Sequence, residues 1–204
     1  LRKRVIMHYN VDMQKILSAM RRAIQDYQMI KDGDKIFVGL SGGKDSVTLL
    51  YILAGLKRFY PKKFELVAIT IDLGLDYDQK EVESLKNLCA ELNVEYHIVP
   101  TDIYQILFVE RKEKSPCSLC SKMRRGALNT KAIELGCNKL ALGHHADDLI
   151  ETLFLSLFYE GRLSTFAPKS YLDKMDLTLI RPMIMIKESD VKSYSKTLPI
   201  VDSC

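Results

Sequence analysis

The stretch Val38-Gly39-Leu40-Ser41-Gly42-Gly43-Lys44-Asp45-Ser46 decides how the rest of the chain is read. An apolar, strand-like run (residues 36–40) passes through small residues and one lysine into a helix-like run (residues 47–56). Such a turn makes a phosphate cradle. Glycines let the backbone approach an anion, consecutive N–H groups point at it, and the helix N-terminus adds a favourable partial charge. The spacing excludes a Walker loop, which needs four residues between its first glycine and the Gly-Lys pair, then Ser or Thr for magnesium. Here three residues separate Gly39 from Gly43, and Asp45 follows the lysine. A P-loop NTPase is therefore not expected.

The run from Ser41 to Ser46 resembles the SGGxDS signature of the PP-loop ATP-pyrophosphatase superfamily. That resemblance implies an adenylating enzyme, in which the loop grips the pyrophosphate part of ATP while a substrate oxygen attacks the α-phosphorus. A glycine-rich turn can also be only a tight connection. Six consecutive matching residues between a strand and a helix favour the functional reading.

A chain of 204 residues with 47% hydrophobic content suits one domain with a sizeable core. No apolar run reaches the ~18–20 residues of a membrane span, and no signal-peptide pattern opens the chain. The expectation is a soluble cytoplasmic protein without a membrane partner. The net charge of +4 says less than its distribution, with basic clusters at Arg2-Lys3-Arg4, Arg21-Arg22 and Lys122 to Arg125. Clusters of this size suit an anionic partner such as RNA, although each alone reads as a solvated helix face. Five cysteines, an odd number, argue against a disulfide framework. Cys89 and Cys137 read as small core residues.

Apolar periodicity predicts a first helix over residues 9–30, ended by Lys31-Asp32-Gly33-Asp34. Strands over residues 35–40, 65–71, 94–99 and 139–143 then alternate with helices over 45–58, 78–92 and 121–135, and a weaker one over 102–109. This alternation predicts an α/β fold, a parallel sheet with helices on both faces, preceded by an N-terminal helix; the PP-loop resemblance implies that it is the adenine nucleotide α-hydrolase-like fold. A further helix is expected over 146–158, a two-stranded excursion within 161–181 around Asp173, and a short final helix over 187–198. Residues 1–30 are read as an N-terminal helical segment and residues 31–204 as the PP-loop ATP-binding catalytic domain. Ligands of such sheets sit beyond the carboxyl ends of the strands. Ser41 to Ser46, Asp72 and Gly143 to Asp148 all follow predicted strand ends.

Within the loop, Gly42 and Gly43 supply the close approach, and Lys44 can neutralise charge on departing pyrophosphate. Ser41 and Ser46 can donate to the same oxygens. Asp45 suits a helix N-terminal turn, either as a structural cap or as a contact to Mg2+. Asp72 stands where a nucleoside hydroxyl or base of ATP could be recognised, though such an aspartate is commonly a turn residue. In Gly143-His144-His145-Ala146-Asp147-Asp148, two adjacent carboxylates facing a triphosphate make sense with a divalent ion between them. The bland alternative is that one aspartate caps the helix and the other is solvated. The GHHxDD pattern also resembles the thiouridine- and thiocytidine-forming branch of the PP-loop enzymes. His144 or His145 could be a zinc ligand, but neighbouring histidines alone say little.

Cys117 and Cys120, three apart, can grip a metal centre, form a redox disulfide, or make half of a zinc site. A structural zinc would want a second such pair, which the chain lacks. With Cys204, three thiolates can hold three corners of a 4Fe–4S cluster and leave one iron open. Pro116-Cys117-Ser118-Leu119-Cys120, Lys122-Met123-Arg124-Arg125-Gly126, the 143–148 block and Arg181-Pro182 together resemble the TtcA family, the tRNA 2-thiocytidine synthetases. The similarity runs from about Arg21 to Cys204. It implies that ATP adenylates the C2 oxygen of a cytidine in the tRNA anticodon loop. Sulfur then replaces that oxygen, carried on a 4Fe–4S cluster for which Cys117, Cys120 and Cys204 match the family's three cysteines. The expected partners are tRNA and a cysteine desulfurase or other sulfur donor, and a homodimer is compatible with the chain.

Three alternatives stay open at this point. One is the 2-thiouridine branch, whose members typically carry further zinc-finger cysteines. Another is an amine-attaching PP-loop ligase, which has no use for the cysteine trio. The third is a non-catalytic nucleotide- or RNA-binding module in which the cysteine pair holds zinc.

Overall fold

The computed structural model describes residues 11–74, 79–111, 113 and 115–201. Cys204, the basic run Arg2-Lys3-Arg4, and the expected helix starts at residues 9–10 and 78 lie outside the described residues. Six helices are described: α1 (Val11–Asp26), α2 (Lys44–Leu56), α3 (Gln79–Leu92), α4 (Pro116–Glu134), α5 (Ala146–Leu155) and α6 (Glu188–Ser195). The strands are β1 (Asp34–Gly39), β2 (Phe64–Asp72), β3 (Glu95–Pro100), β4 (Lys139–Ala141), β5 (Lys169–Leu172) and β6 (Leu177–Ile180). They form one sheet in the order β3-β2-β1-β4-β6-β5, parallel throughout except for the edge strand β5.

Alternation along β1 shows why the sheet is covered on both sides. Ile36 and Val38 join a core shared with α1, α2, α3 and α6, whereas Phe37 joins Val67, Leu140 and Ala132 beneath α4. A strand buried on both faces reads as a continuous apolar run, as residues 36–40 do. Helix α2 is buried along nearly its whole length from Val47 to Leu56, because α1 and α6 pack over it. This explains its apolar character all round.

Two expectations change. The helix expected from residue 121 begins at Pro116, with Ser115 at its cap, so both cysteines of the pair stand within its first five residues. Proline at the first helical position costs no hydrogen bond, since its missing N–H would be an orphan there anyway. The excursion within 161–181 is a β5–β6 hairpin, but it is not separate: β6 pairs in parallel with β4, Lys139 opposite Thr178. The weaker helix expected over 102–109 is a π-helical turn at Gln105–Glu110, and α5 runs on into another at Ser156–Glu160. No helix among the described residues is long and apolar enough to cross a membrane.

At the amino ends of β1 and β4, Lys139 Nζ lies 3.0 Å from Asp34 Oδ2, with both side chains about 5% exposed or less. Lys139 also donates to the Met29 carbonyl at 2.7 Å, and Asn138 Nδ2 donates to Asp34 Oδ1 at 3.0 Å. Removing one partner of such a pair leaves a buried charge uncompensated. Lys139→Met should therefore cost about 3–5 kcal/mol in denaturant unfolding. Adding Asp34→Asn to it should recover more than half of that loss. A single variant as stable as the parent would show that the pair is not holding these strands.

Candidate functional site

The site stands where the strand order reverses, at the carboxyl ends of β1 and β4. Gly42 takes φ +89°, a left-handed conformation open to glycine, and Gly43 caps α2 without a side chain. The first-turn N–H groups of α2 thus stand clear for an anion. Serine hydroxyls brace the loop from within. Ser46 Oγ accepts from the Ser41 N–H at 3.2 Å and donates to the Gly43 carbonyl at 3.1 Å. Thr70 on β2, fully buried, donates to the Leu40 carbonyl at 2.6 Å and fixes the entry to the turn.

Lys44 is gripped by two carboxylates: Asp45 at 2.8 Å and Glu188 at 3.3 Å. Burial pulls its pKa down, but the hydrogen bonds and charges of Asp45 and Glu188 outweigh it and hold the ammonium above its usual value. Asp45 therefore pairs with the lysine instead of capping the helix. Glu188 opens α6 and had no motif around it to announce a role.

The loops after β1 and β4 touch, for a Cβ on Gly143 would come within 3.2 Å of the Asp45 backbone. Asp148 accepts the His145 backbone N–H at 2.8 Å, and Asp147 accepts that of Glu188 at 2.6 Å. The two aspartates cap α5 and α6 respectively, so neither is simply solvated. Among the described residues no three His, Cys, Asp or Glu side chains form a metal cage. Magnesium is compatible with that, since it is commonly bound by one or two carboxylates together with substrate phosphates. Asp72 Oδ1 accepts the Gly74 N–H at 2.9 Å, the turn role that such a residue commonly has.

A cleft of about 760 Å³ opens between these strand ends and α4. Ser41, Thr70, His144, Arg124, Arg125 and Arg181 are among the residues lining it. Burial first, and then the Arg181 charge, hold His144 below the ordinary histidine pKa. Its Nδ1 accepts from Arg181 Nε at 3.2 Å, so the neutral ring carries its proton on Nε2. Arg181 entered the sequence reading only as part of a resemblance.

Cys117 is exposed and Cys120 half-buried near the start of α4. Three residues apart, they share a helix face. Cys120 packs against Leu73, Ile103 and Leu107, which places the pair by the carboxyl end of β2 at the rim of the cleft. Two soft thiolates suit iron or zinc. The segment that leads toward Cys204 is tied to the loop by its backbone, because the Val201 N–H donates to the Gly42 carbonyl at 3.0 Å.

A loop of this form at the end of the first strand of such a sheet defines an ATP-using PP-loop domain, and a model of the PP-loop domain family matches residues 13–200. The chain is 44% identical over 188 residues to a tRNA-cytidine(32) 2-sulfurtransferase of Geobacter sulfurreducens, covering 92% of this chain and 72% of the relative. It is likewise 44% identical over 199 residues to the Pseudomonas putida protein of that name, covering 94% and 72%. Among solved structures, the U34-tRNA thiolase NcsA of Methanococcus maripaludis, determined with its 4Fe–4S cluster, superposes with a TM-score of 0.74 at 26% identity. That match covers 95% of this chain and 66% of the other, so the chain spans just under two thirds of the thiolase. The chain belongs to the PP-loop domain family and, within it, to the family of the tRNA-cytidine(32) 2-sulfurtransferases.

The remaining described cysteines contrast with the pair. Burial pushes the Cys89 thiol up to about 12 and, as the largest of several causes, the Cys137 thiol up to about 11. At pH 8 only about one Cys89 in ten thousand and one Cys137 in a thousand is then a thiolate. A thiol reagent applied to native protein at that pH, followed by peptide mass mapping, should modify Cys117 and Cys120 and spare Cys89 and Cys137 until the protein unfolds. Labelling of Cys89 at the rate of Cys117 would contradict this contrast.

Proposed function

We propose that this chain replaces the C2 oxygen of cytidine 32 in tRNA by sulfur, using ATP, in the cytoplasm. The base oxygen attacks the α-phosphorus, pyrophosphate leaves, and the adenylated carbon then accepts sulfur as AMP departs with the original oxygen. What supports this reading beyond kinship is that Ser41 of the phosphate loop shares its cleft with Ser121, next to Cys120 near the start of α4, and that Gly42 of the loop is bonded to Val201, three positions before Cys204 in the sequence.

In this reading residues 31–204 are the PP-loop ATP-binding catalytic domain and residues 1–30 an N-terminal helical segment. Backbone N–H groups of Gly42 and Gly43, with the hydroxyl of Ser41, receive the pyrophosphate oxygens, while Ser46, whose hydroxyl donates to the Gly43 carbonyl, holds the loop in shape around them. Lys44 carries the charge that builds on them as the bond breaks, and Asp45 and Glu188 aim it. Asp147, Asp148 and Asp45 are the carboxylates that would hold Mg2+, which would offset negative charge on the phosphates. Gly143 leaves the backbone room beside them, His144 borders the same cleft, and the second oxygen of Asp72 is available to the nucleoside. The donor chemistry of Cys117 and Cys120, completed by Cys204, fits a 4Fe–4S cluster, which when bound would supply sulfur to the activated base. Its sulfur comes from a cysteine desulfurase or another donor.

Lys44→Gln should slow tRNA-dependent pyrophosphate release about a hundredfold, the scale of losing one donor that faces developing charge. Cys117→Ser in anaerobically prepared protein should abolish 2-thiocytidine, read by nucleoside analysis of the tRNA, and lower iron content while pyrophosphate release persists. Full thiolation by Cys117→Ser would overturn the assignment of the thiols.

A further inference from the structure

Arg181, at the carboxyl end of β6, is 8% exposed and has no carboxylate partner among the described residues. Its guanidinium is held by neutral groups alone. Nε donates to His144 Nδ1, Nη1 donates to the Ala167 carbonyl, and the central carbon lies 4.6 Å from the Phe166 ring centroid. A buried cation without a counter-charge is costly, and a site that keeps one is prepared for an anion from outside. Burial alone lowers its pKa, no carboxylate opposing it.

The neighbourhood carries the same sign. Arg124, Arg125, Lys174 and Arg181 line the cleft, with Asp173 the one carboxylate among its lining residues. Arg125 lines the same cleft from α4, and its charge reaches His144, which Arg181 contacts directly. His144, whose Nδ1 accepts from Arg181, adds a third donor through Nε2–H. Arg124 and Arg125 on α4, Arg181 at the carboxyl end of β6 and Lys174 in the turn before its amino end are spread along this cleft. In the sheet β6 is two strands from β1, a lateral separation of about 10 Å. The loop also has its own cation, Lys44, already matched by Asp45 and Glu188. The charge at Arg181 is thus not needed for the pyrophosphate, and an elongated cationic track suits a polymer of phosphates better than one triphosphate.

We propose that Arg181 and Arg125 form a phosphodiester subsite that grips the RNA backbone beside the nucleotide being modified, with His144 oriented by Arg181 as its third donor. This rests on the reading of the chain as an RNA-modifying enzyme and adds where the backbone is held. The track then presents the base to the α-phosphate from the β4–β6 side, while the nucleotide occupies the loop of β1.

The test is the affinity of a tRNA transcript for the chain across a salt series, with ATP affinity measured separately without RNA. Arg181→Gln should weaken tRNA binding about five- to tenfold, reduce the slope of log affinity against log salt by about one, and leave ATP affinity unchanged. Arg125→Gln, at an exposed position that folding does not require, should give the same signature, while Arg181→Lys should retain the slope. Parental tRNA affinity and slope in both glutamine variants would overturn the subsite, even if Arg181→Gln lowers thermal stability. Weakened ATP binding with tRNA binding intact would overturn it in favour of a nucleotide contact. Failure of the parent chain to bind tRNA at all would remove the functional reading itself, and the subsite with it.

Discussion

The buried ion pair between Asp34 and Lys139 fastens the amino ends of β1 and β4, and the site at their other ends depends on that adjacency. These two strands are far apart in the chain, and β4 is only three residues long, so its own backbone pairing is slight. A buried pair is weak evidence of net stability but a strong means of specifying which strand lies beside which. Once β4 lies against β1, their loops emerge side by side, and Gly143 packs so close to Asp45 that a side chain there would press on it. The phosphate loop and the 143–148 block are therefore one surface.

Electrostatically that surface has two unlike halves. Around the loop, charges are balanced within the protein: Lys44 by Asp45 and Glu188, and the aspartates by backbone N–H groups at helix starts. Balanced groups are held still, which suits a site that must meet charge as it develops. Across β4 and β6 the balance lapses, and Arg181 is left with carbonyl, ring and imidazole partners only. An internal pair there would compete with an incoming anion. The protein thus spends its carboxylates where orientation matters and withholds them where an outside partner must bind.

Much of this was legible in the sequence, because the signals were local. The strand–loop–helix around Ser41 to Ser46 and the alternation of apolar strands with helices each follow from neighbours in the chain. What escaped was set by distant pairing. The role of β6 as the neighbour of β4 depends on a partner some forty residues away, and a strand of four residues, three of them apolar, cannot announce it. Glu188 reaches Lys44, and Arg181 reaches His144, only after α6 and β6 are folded in place. The start of α4 was a different kind of miss. Ser115-Pro116 is itself a helix-opening signal, hidden because a proline beside cysteines reads as a loop. The aspartates of the 143–148 block had two readings, ligand or cap, and folding gave both of them backbone N–H groups to hold.

The bond from Val201 to Gly42 changes what counts as the phosphate loop. Its signature occupies six consecutive residues, yet the carbonyl at its most twisted point is spoken for by an amide some 160 positions later. A protein cut just before Val201 would keep every letter of the motif and lose one of the bonds that shape it. The functional unit is a ring closed through space, and a truncation chosen by motif boundaries would open it.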